Sequence, residues 1–159
     1  MVDMTNLGGV YITVTTAGVM ALCLLYKRYW WKLFALFLVV GGGEIILILL
    51  KLFFHRPRPM PQLVIAHGYS FPSGHAFSAM TIYGFLIYMI WTMDKIRGLK
   101  FVVLLMSISL IFFIGISRIY LNVHYLTDIL GGYASGLAWL VFCIIMVNTI
   151  KEYYRGYQD

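Results

Sequence analysis

The chain has 159 residues, 62% hydrophobic and 11% charged, with a mean hydropathy of +0.87 and a net charge of +6. So much apolar surface on a chain of this size excludes an ordinary soluble domain and indicates an integral membrane protein. The basic excess invites a nucleic-acid partner, but the cations fall in short segments between apolar runs, where they report topology instead.

Five charge-poor runs follow one another: Leu7–Tyr26, Leu33–Leu50, Ala76–Met93, Phe101–Ser117 and Ile129–Ile150. Each approaches the roughly 20 residues that a helix needs to cross a hydrocarbon core. None alternates like a strand, so the expected fold is all-α, a polytopic bundle of five transmembrane helices forming a single domain, 1–159. The first run is read as a retained span and not a signal peptide, because only Asp3 carries charge before it and it is long for a signal core. Cys23 and Cys143 sit inside apolar runs, as small hydrophobic residues.

In the second run, Gly41, Gly42 and Gly43 are expected to let helices pack closely, as are Gly132 and Gly136 in the fifth. Glu44 lies mid-span, two helical turns before Lys51 on the same face, and is expected to pair within the bundle. Between runs two and three lies the one long connection, Lys51 to about Ser73. Pro57, Pro59 and Pro61 oppose helix there, and Ser73 is the expected N-cap of the third helix.

Lys27, Arg28 and Lys32, then Lys95, Arg97 and Lys100, then Lys151 and Arg155 all fall on one side of a five-helix bundle. The positive-inside rule makes that side cytoplasmic, with the C-terminus there and the N-terminus outside. Tyr29, Trp30, Trp31, Tyr153, Tyr154 and Tyr157 suit the headgroup belt on the same side. The remaining cations, Lys51, Arg56, Arg58 and Arg118, lie on the outer side with all four histidines, against the rule.

Three polar clusters collect on that outer side: Lys51 with Arg58-Pro59, then Ser73-Gly74-His75, then Arg118, His124 and Asp128. Several cations with one carboxylate favour a multiply charged anion, and guanidinium forks suit phosphate oxygens. A helix start at Ser73–His75 adds backbone donors and a favourable dipole. If the fifth helix begins near His124, Asp128 lies one turn along and can fix the imidazole tautomer. The free ring nitrogen could then attack phosphorus, with His75 as general acid and base and with Lys51, Arg58 and Arg118 stabilising the transition state. No metal-binding motif or carboxylate cluster is present, and the surrounding cations oppose a bound dication, so no metal or other cofactor is expected. His55, Arg56 and His67 are read as ordinary loop polarity.

Lys51-x6-Arg58-Pro59, Pro72-Ser73-Gly74-His75 and Ser117-Arg118-x5-His124-x3-Asp128 together resemble the three-part signature of the type 2 phosphatidic acid phosphatase superfamily, which also includes vanadium-dependent haloperoxidases and glucose-6-phosphatase. The resemblance spans residues 51 to 128, with active-site segments 51–75 and 117–128. It implies a metal-independent phosphatase with a phosphohistidine intermediate. His124 would be the nucleophile, Asp128 its orienter and His75 the acid and base; Lys51, Arg58, Ser73, Gly74 and Arg118 would hold the phosphate. Membrane members usually carry six helices and five are read here; the start resembles the approach to the family's second helix, so the chain is a natural short form or lacks the first.

The expected substrate keeps its tail in the bilayer and its phosphate at the interface, as do phosphatidylglycerol phosphate, phosphatidic acid and undecaprenyl diphosphate. The expected location is a bacterial plasma membrane with the site on the extracytoplasmic face. Two rival readings share the cationic seat: a phosphotransferase using the same intermediate, and a lipid-phosphate binder without turnover.

Overall fold

The computed structural model describes residues 10–93 and 97–156, with side chains from residue 13 onward. Asp3 and the segment before the first helix, Lys95 and Tyr157 therefore lie outside the described residues. Among the described residues there are five helices and no strand: α1 (Val10–Tyr26), α2 (Trp30–Phe54), α3 (Gly74–Trp91), α4 (Arg97–Tyr120) and α5 (Leu126–Arg155). α2, α4 and α5 are each long and apolar enough to cross a membrane. α1 and α3 are shorter, and α3 carries His75, Ser78 and Thr81 along its length.

The helices outrun the apolar runs at several ends, because a helix continues into the polar interface where its side chains meet water. Lys51 consequently belongs to the last turn of α2 and not to the following connection, which runs from His55 to Ser73. A cation there complements the helix dipole. α2 stops where His55 turns left-handed (φ 47°) and its amide closes on the Lys51 carbonyl. The prolines beyond prevent a restart.

α3 is the central helix. Its Phe85, Ile82 and Met89 pack with Leu24 of α1, Leu36 and Val39 of α2, and Leu140 and Cys143 of α5, while Ala79 and Tyr83 meet Ile111 and Ile114 of α4. A helix surrounded by neighbours needs no polar face, and the few polar residues of α3 form no continuous stripe. Two glycines of α5 set its approach to α3: a Cβ at Gly132 would lie 2.7 Å from the Ser73 carbonyl oxygen, and one at Gly136 2.8 Å from that of Phe77. Gly42 and Gly43 lie against Trp139 as the close-packing reading requires, whereas Gly41 meets nothing within 4 Å. α2 contains a π-helical turn at Leu38–Gly42, and the Trp139 indole donates to the Val39 carbonyl inside it (3.1 Å).

Outward faces carry Leu22, Phe37, Ile45, Leu105, Phe113 and Ile145 exposed, an apolar belt suited to lipid. Glu44 lies exposed on that surface beside Ile45, and the expected ion pair with Lys51 is not formed. Lys51 turns inward instead, donating to the Tyr69 carbonyl (2.8 Å).

Candidate active site

The polar groups gather where α2 ends and α3 and α5 begin, beside the end of α4. Ser73 caps α3: its backbone is extended (φ −68°, ψ 118°) and its side chain accepts from the Ala76 amide at 3.5 Å. The amides of Gly74 and His75 open the helix without intrahelical acceptors. Ser73 also donates its own amide to the Asp128 carbonyl (3.0 Å), tying the start of α3 to the start of α5. The close approach at Gly132 makes this junction possible.

His124 lies two residues before α5, which thus begins near it as the spacing suggested; Tyr125 is the N-cap and Asp128 stands in the first turn. The aspartate reaches backward. Its Oδ2 accepts from the Tyr125 amide at 2.9 Å and stands 3.4 Å from His124 Nδ1. Asp128 is fully buried and His124 nearly so. Arg58 Nη1 lies 3.2 Å from His124 Nε2 and donates to the Val123 carbonyl (3.0 Å). An arginine can only donate, so Nε2 accepts and carries the lone pair, leaving the proton on Nδ1 facing Asp128. Burial, and then the charges of Arg58, Lys51 and Arg118, push the imidazole down to about 3.

Arg58 is itself held open by carbonyls, with Nε on Gly68 (3.0 Å) and Nη2 on His67 (3.0 Å). Arg118 differs. It is 5% exposed, and its Nε and Nη1 have no hydrogen-bond partner among the described residues. A buried guanidinium with open donors is costly unless an anion comes to it. His75, half-buried on the first turn of α3, lies within the fields of Arg118, His124, Arg58 and Lys51. All eight residues singled out in the sequence thus converge: Lys51, Arg58, Ser73, Gly74, His75, Arg118, His124 and Asp128.

Arg56 requires a correction. Taken from sequence as loop polarity, it donates Nη1 to Asp128 Oδ1 (2.8 Å) and to Thr127 Oγ1 (2.6 Å), and its guanidinium covers the Tyr125 ring at 4.4 Å. The signal was present in the prolines. Pro57 and Pro59 hold Arg56 and Arg58 extended, and residues i and i+2 of extended chain point the same way. Two arginines therefore bracket the pair, one on the far carboxylate oxygen and one on the far ring nitrogen. His55 and His67 stay exposed, as expected of loop residues; His55 stacks edge-on to Tyr69 and His67 offers only its carbonyl.

Below the site, a groove of about 470 Å³ opens between α4 and α5 over α3, lined by Met80, Gly84, Ile108, Phe112 and Leu137. Tyr133 stands at its lining one turn below Asp128 and donates to the Ile111 carbonyl (2.5 Å). No group of three or more metal-ligating side chains forms among the described residues.

Such a cationic, histidine-bearing pocket on a helical bundle defines a phosphate-handling membrane protein, and the chain belongs to the PAP2 superfamily, whose signature matches residues 28–152. It is an integral membrane phosphatase of that family. It is 30% identical over 147 residues to phosphatidylglycerophosphatase B of Bacillus subtilis (strain 168), covering 91% of this chain and 71% of that protein. The crystal structure of the transmembrane PAP2 type phosphatidylglycerolphosphate phosphatase from Bacillus subtilis superposes with a TM-score of 0.81 at 28% identity, over 95% of this chain and 74% of that one. Aquifex aeolicus LpxE gives a TM-score of 0.68 at 27% identity, over 90% and 82% of the two chains.

Proposed function

We propose that this phosphatase removes phosphate from a membrane lipid through a phosphohistidine formed on His124, without a metal ion. The observation that carries the reading is the buried Arg118 guanidinium, open on two nitrogens beside the ordered His124–Asp128 pair. Substrate phosphate enters between Lys51, Arg58, Arg118 and the Gly74 and His75 amides, and draws Arg58 off His124 Nε2. That nitrogen attacks phosphorus as the P–O bond to the lipid breaks, and a protonated His75 gives its proton to the leaving oxygen. The negative charge of the bound phosphate favours that protonated His75 among its cationic neighbours. Water then attacks the phosphorus; His75 takes its proton, the P–N bond breaks and phosphate leaves. Asp128, with Arg56 on its other oxygen, holds Nδ1–H throughout and balances the imidazolium charge that develops.

The substrate's chains lie against the apolar belt and the α4–α5 groove. Phosphatidylglycerol phosphate, the substrate named for the Bacillus subtilis relative, leads the candidates, with phosphatidic acid and undecaprenyl diphosphate after it. The distribution of basic loops supports a site on the extracytoplasmic face of a bacterial plasma membrane, with α5 ending in the cytoplasm.

The test is phosphate release from a panel of these lipids by detergent-purified protein in excess EDTA, beside His124→Ala. The expected result is EDTA-resistant release that drops at least about 10⁴-fold in the variant, a loss typical of a missing nucleophile. Release abolished by EDTA, or retained in the variant, would overturn the mechanism.

A further inference from the structure

The opposite end of the bundle carries a second basic pocket that the phosphatase reading does not use. Trp31 and Lys32 open α2, and Lys151, Tyr154 and Arg155 close α5. They surround a depression of about 400 Å³ lined by Trp31, Lys151, Tyr154 and Arg155, next to a smaller one that adds Lys32 and Asn148. The Trp31 and Tyr154 rings stand 6.1 Å apart. Lys32 is held in place by Thr92, whose hydroxyl and carbonyl accept from Nζ at 2.8 and 3.4 Å.

Among the described residues no ion pair offsets these cations: such pairs form only at Asp128, at the other end, so Lys32, Lys151 and Arg155 enter none. Glu152 is exposed and likewise unpaired. Depth identifies the occupant. Lys32 precedes Lys51 by 19 residues of helix, a rise of about 28 Å, close to the hydrocarbon thickness of a bilayer. The pocket therefore sits at headgroup level of the opposite membrane face, where tryptophan and tyrosine settle. Basic pockets between helices at that level suit phosphate headgroups.

We infer that Lys32, Lys151 and Arg155, framed by Trp31 and Tyr154, form a binding site for an anionic phospholipid headgroup, separate from the catalytic pocket and on the other face of the membrane. The phosphate diester meets the three cations, and the lipid's chains descend the α2–α5 seam beside Ile144. A free phosphate ion shares the charge but lacks the chains that this depth and these aromatic rings accommodate.

The experiment is native mass spectrometry of the detergent-purified protein titrated with phosphatidylglycerol, a diester that offers no terminal phosphate. Arms with phosphatidylcholine, with competing inorganic phosphate and with the Arg118→Gln variant accompany it. One tightly held phosphatidylglycerol is expected, preferred over phosphatidylcholine, insensitive to millimolar phosphate and retained in Arg118→Gln. Lys32→Gln/Lys151→Gln/Arg155→Gln should weaken it by about 100-fold, since each near-surface cation contributes roughly fivefold. Arg155→Glu, at an exposed position that folding tolerates, should weaken it in the same direction by a smaller factor. Equal binding of phosphatidylcholine, displacement by inorganic phosphate, loss in Arg118→Gln, or undiminished binding in both basic-pocket variants would each overturn the assignment.

Discussion

The catalytic end of the bundle holds fewer cations, Lys51 and three arginines, than the opposite end, and the two ends do different things with them. At the catalytic end Arg58 is fixed by three carbonyls, Arg56 by a carboxylate, and Arg118 is buried with donors open. At the other end Lys27, Arg28, Arg97 and Arg155 are exposed, while Lys32 and Lys100 are hydrogen-bonded, to Thr92 and the Trp91 carbonyl. Charge alone therefore does not make a reactive site. Convergence and burial do: they desolvate the guanidinium groups and aim them at one point, where a fixed donor acts far more strongly than in water.

If that contrast is right, neutralising the two ends should have effects orders of magnitude apart. Arg118→Gln should lower kcat by about 10²–10³-fold, the usual loss for one fixed donor to a developing oxyanion, measured with saturating lipid phosphate. A loss below tenfold would mean that Arg118 does not meet the transferring phosphoryl group. Arg56→Gln should cost about 10–100-fold, mainly in kcat with KM little changed, because it acts through Asp128 and not on substrate. Arg56→Lys should recover part of it, and a purely KM effect would instead place Arg56 on the substrate.

Protonation sharpens the comparison further. The folded His124 imidazole is depressed to about 3, against 6.5 for the free side chain, so the fold favours its neutral form. That contribution is complete above pH 6.5 and is lost as pH falls from there towards 3. Thermal melts between pH 7 and 4 should show wild type losing several degrees more than His124→Ala; parallel losses would argue against a desolvated, cation-flanked imidazole. The smallest effect belongs to the far end. Lys27→Gln and Arg97→Gln, at exposed positions, should change turnover less than about twofold, within the usual range of surface substitutions.

Much of the catalytic end was legible because its parts come as short local patterns. A proline-restricted arginine, a serine before a helix start, and a histidine four residues before an aspartate each announce their local geometry. Arg56 was missed because its partner lies 72 residues away, and its role depends on α5 reaching the end of α2. Glu44 was misjudged for a similar reason. Sequence periodicity put it on a face with Lys51, yet the Tyr69 carbonyl draws the lysine inward and leaves the acid facing out.

Sequence by itself determined the membrane class, the five helices, the charge asymmetry of the two faces and the residue types of a phosphate site. These follow from composition, run length and local backbone rules, which need no knowledge of neighbours. Tertiary structure decided which helix is central, how closely α3 and α5 approach at Gly132, which nitrogen of His124 is free, and which arginine is buried with its donors open. Those outcomes depend on distances between segments far apart in the chain, and packing fixes such distances where periodicity cannot.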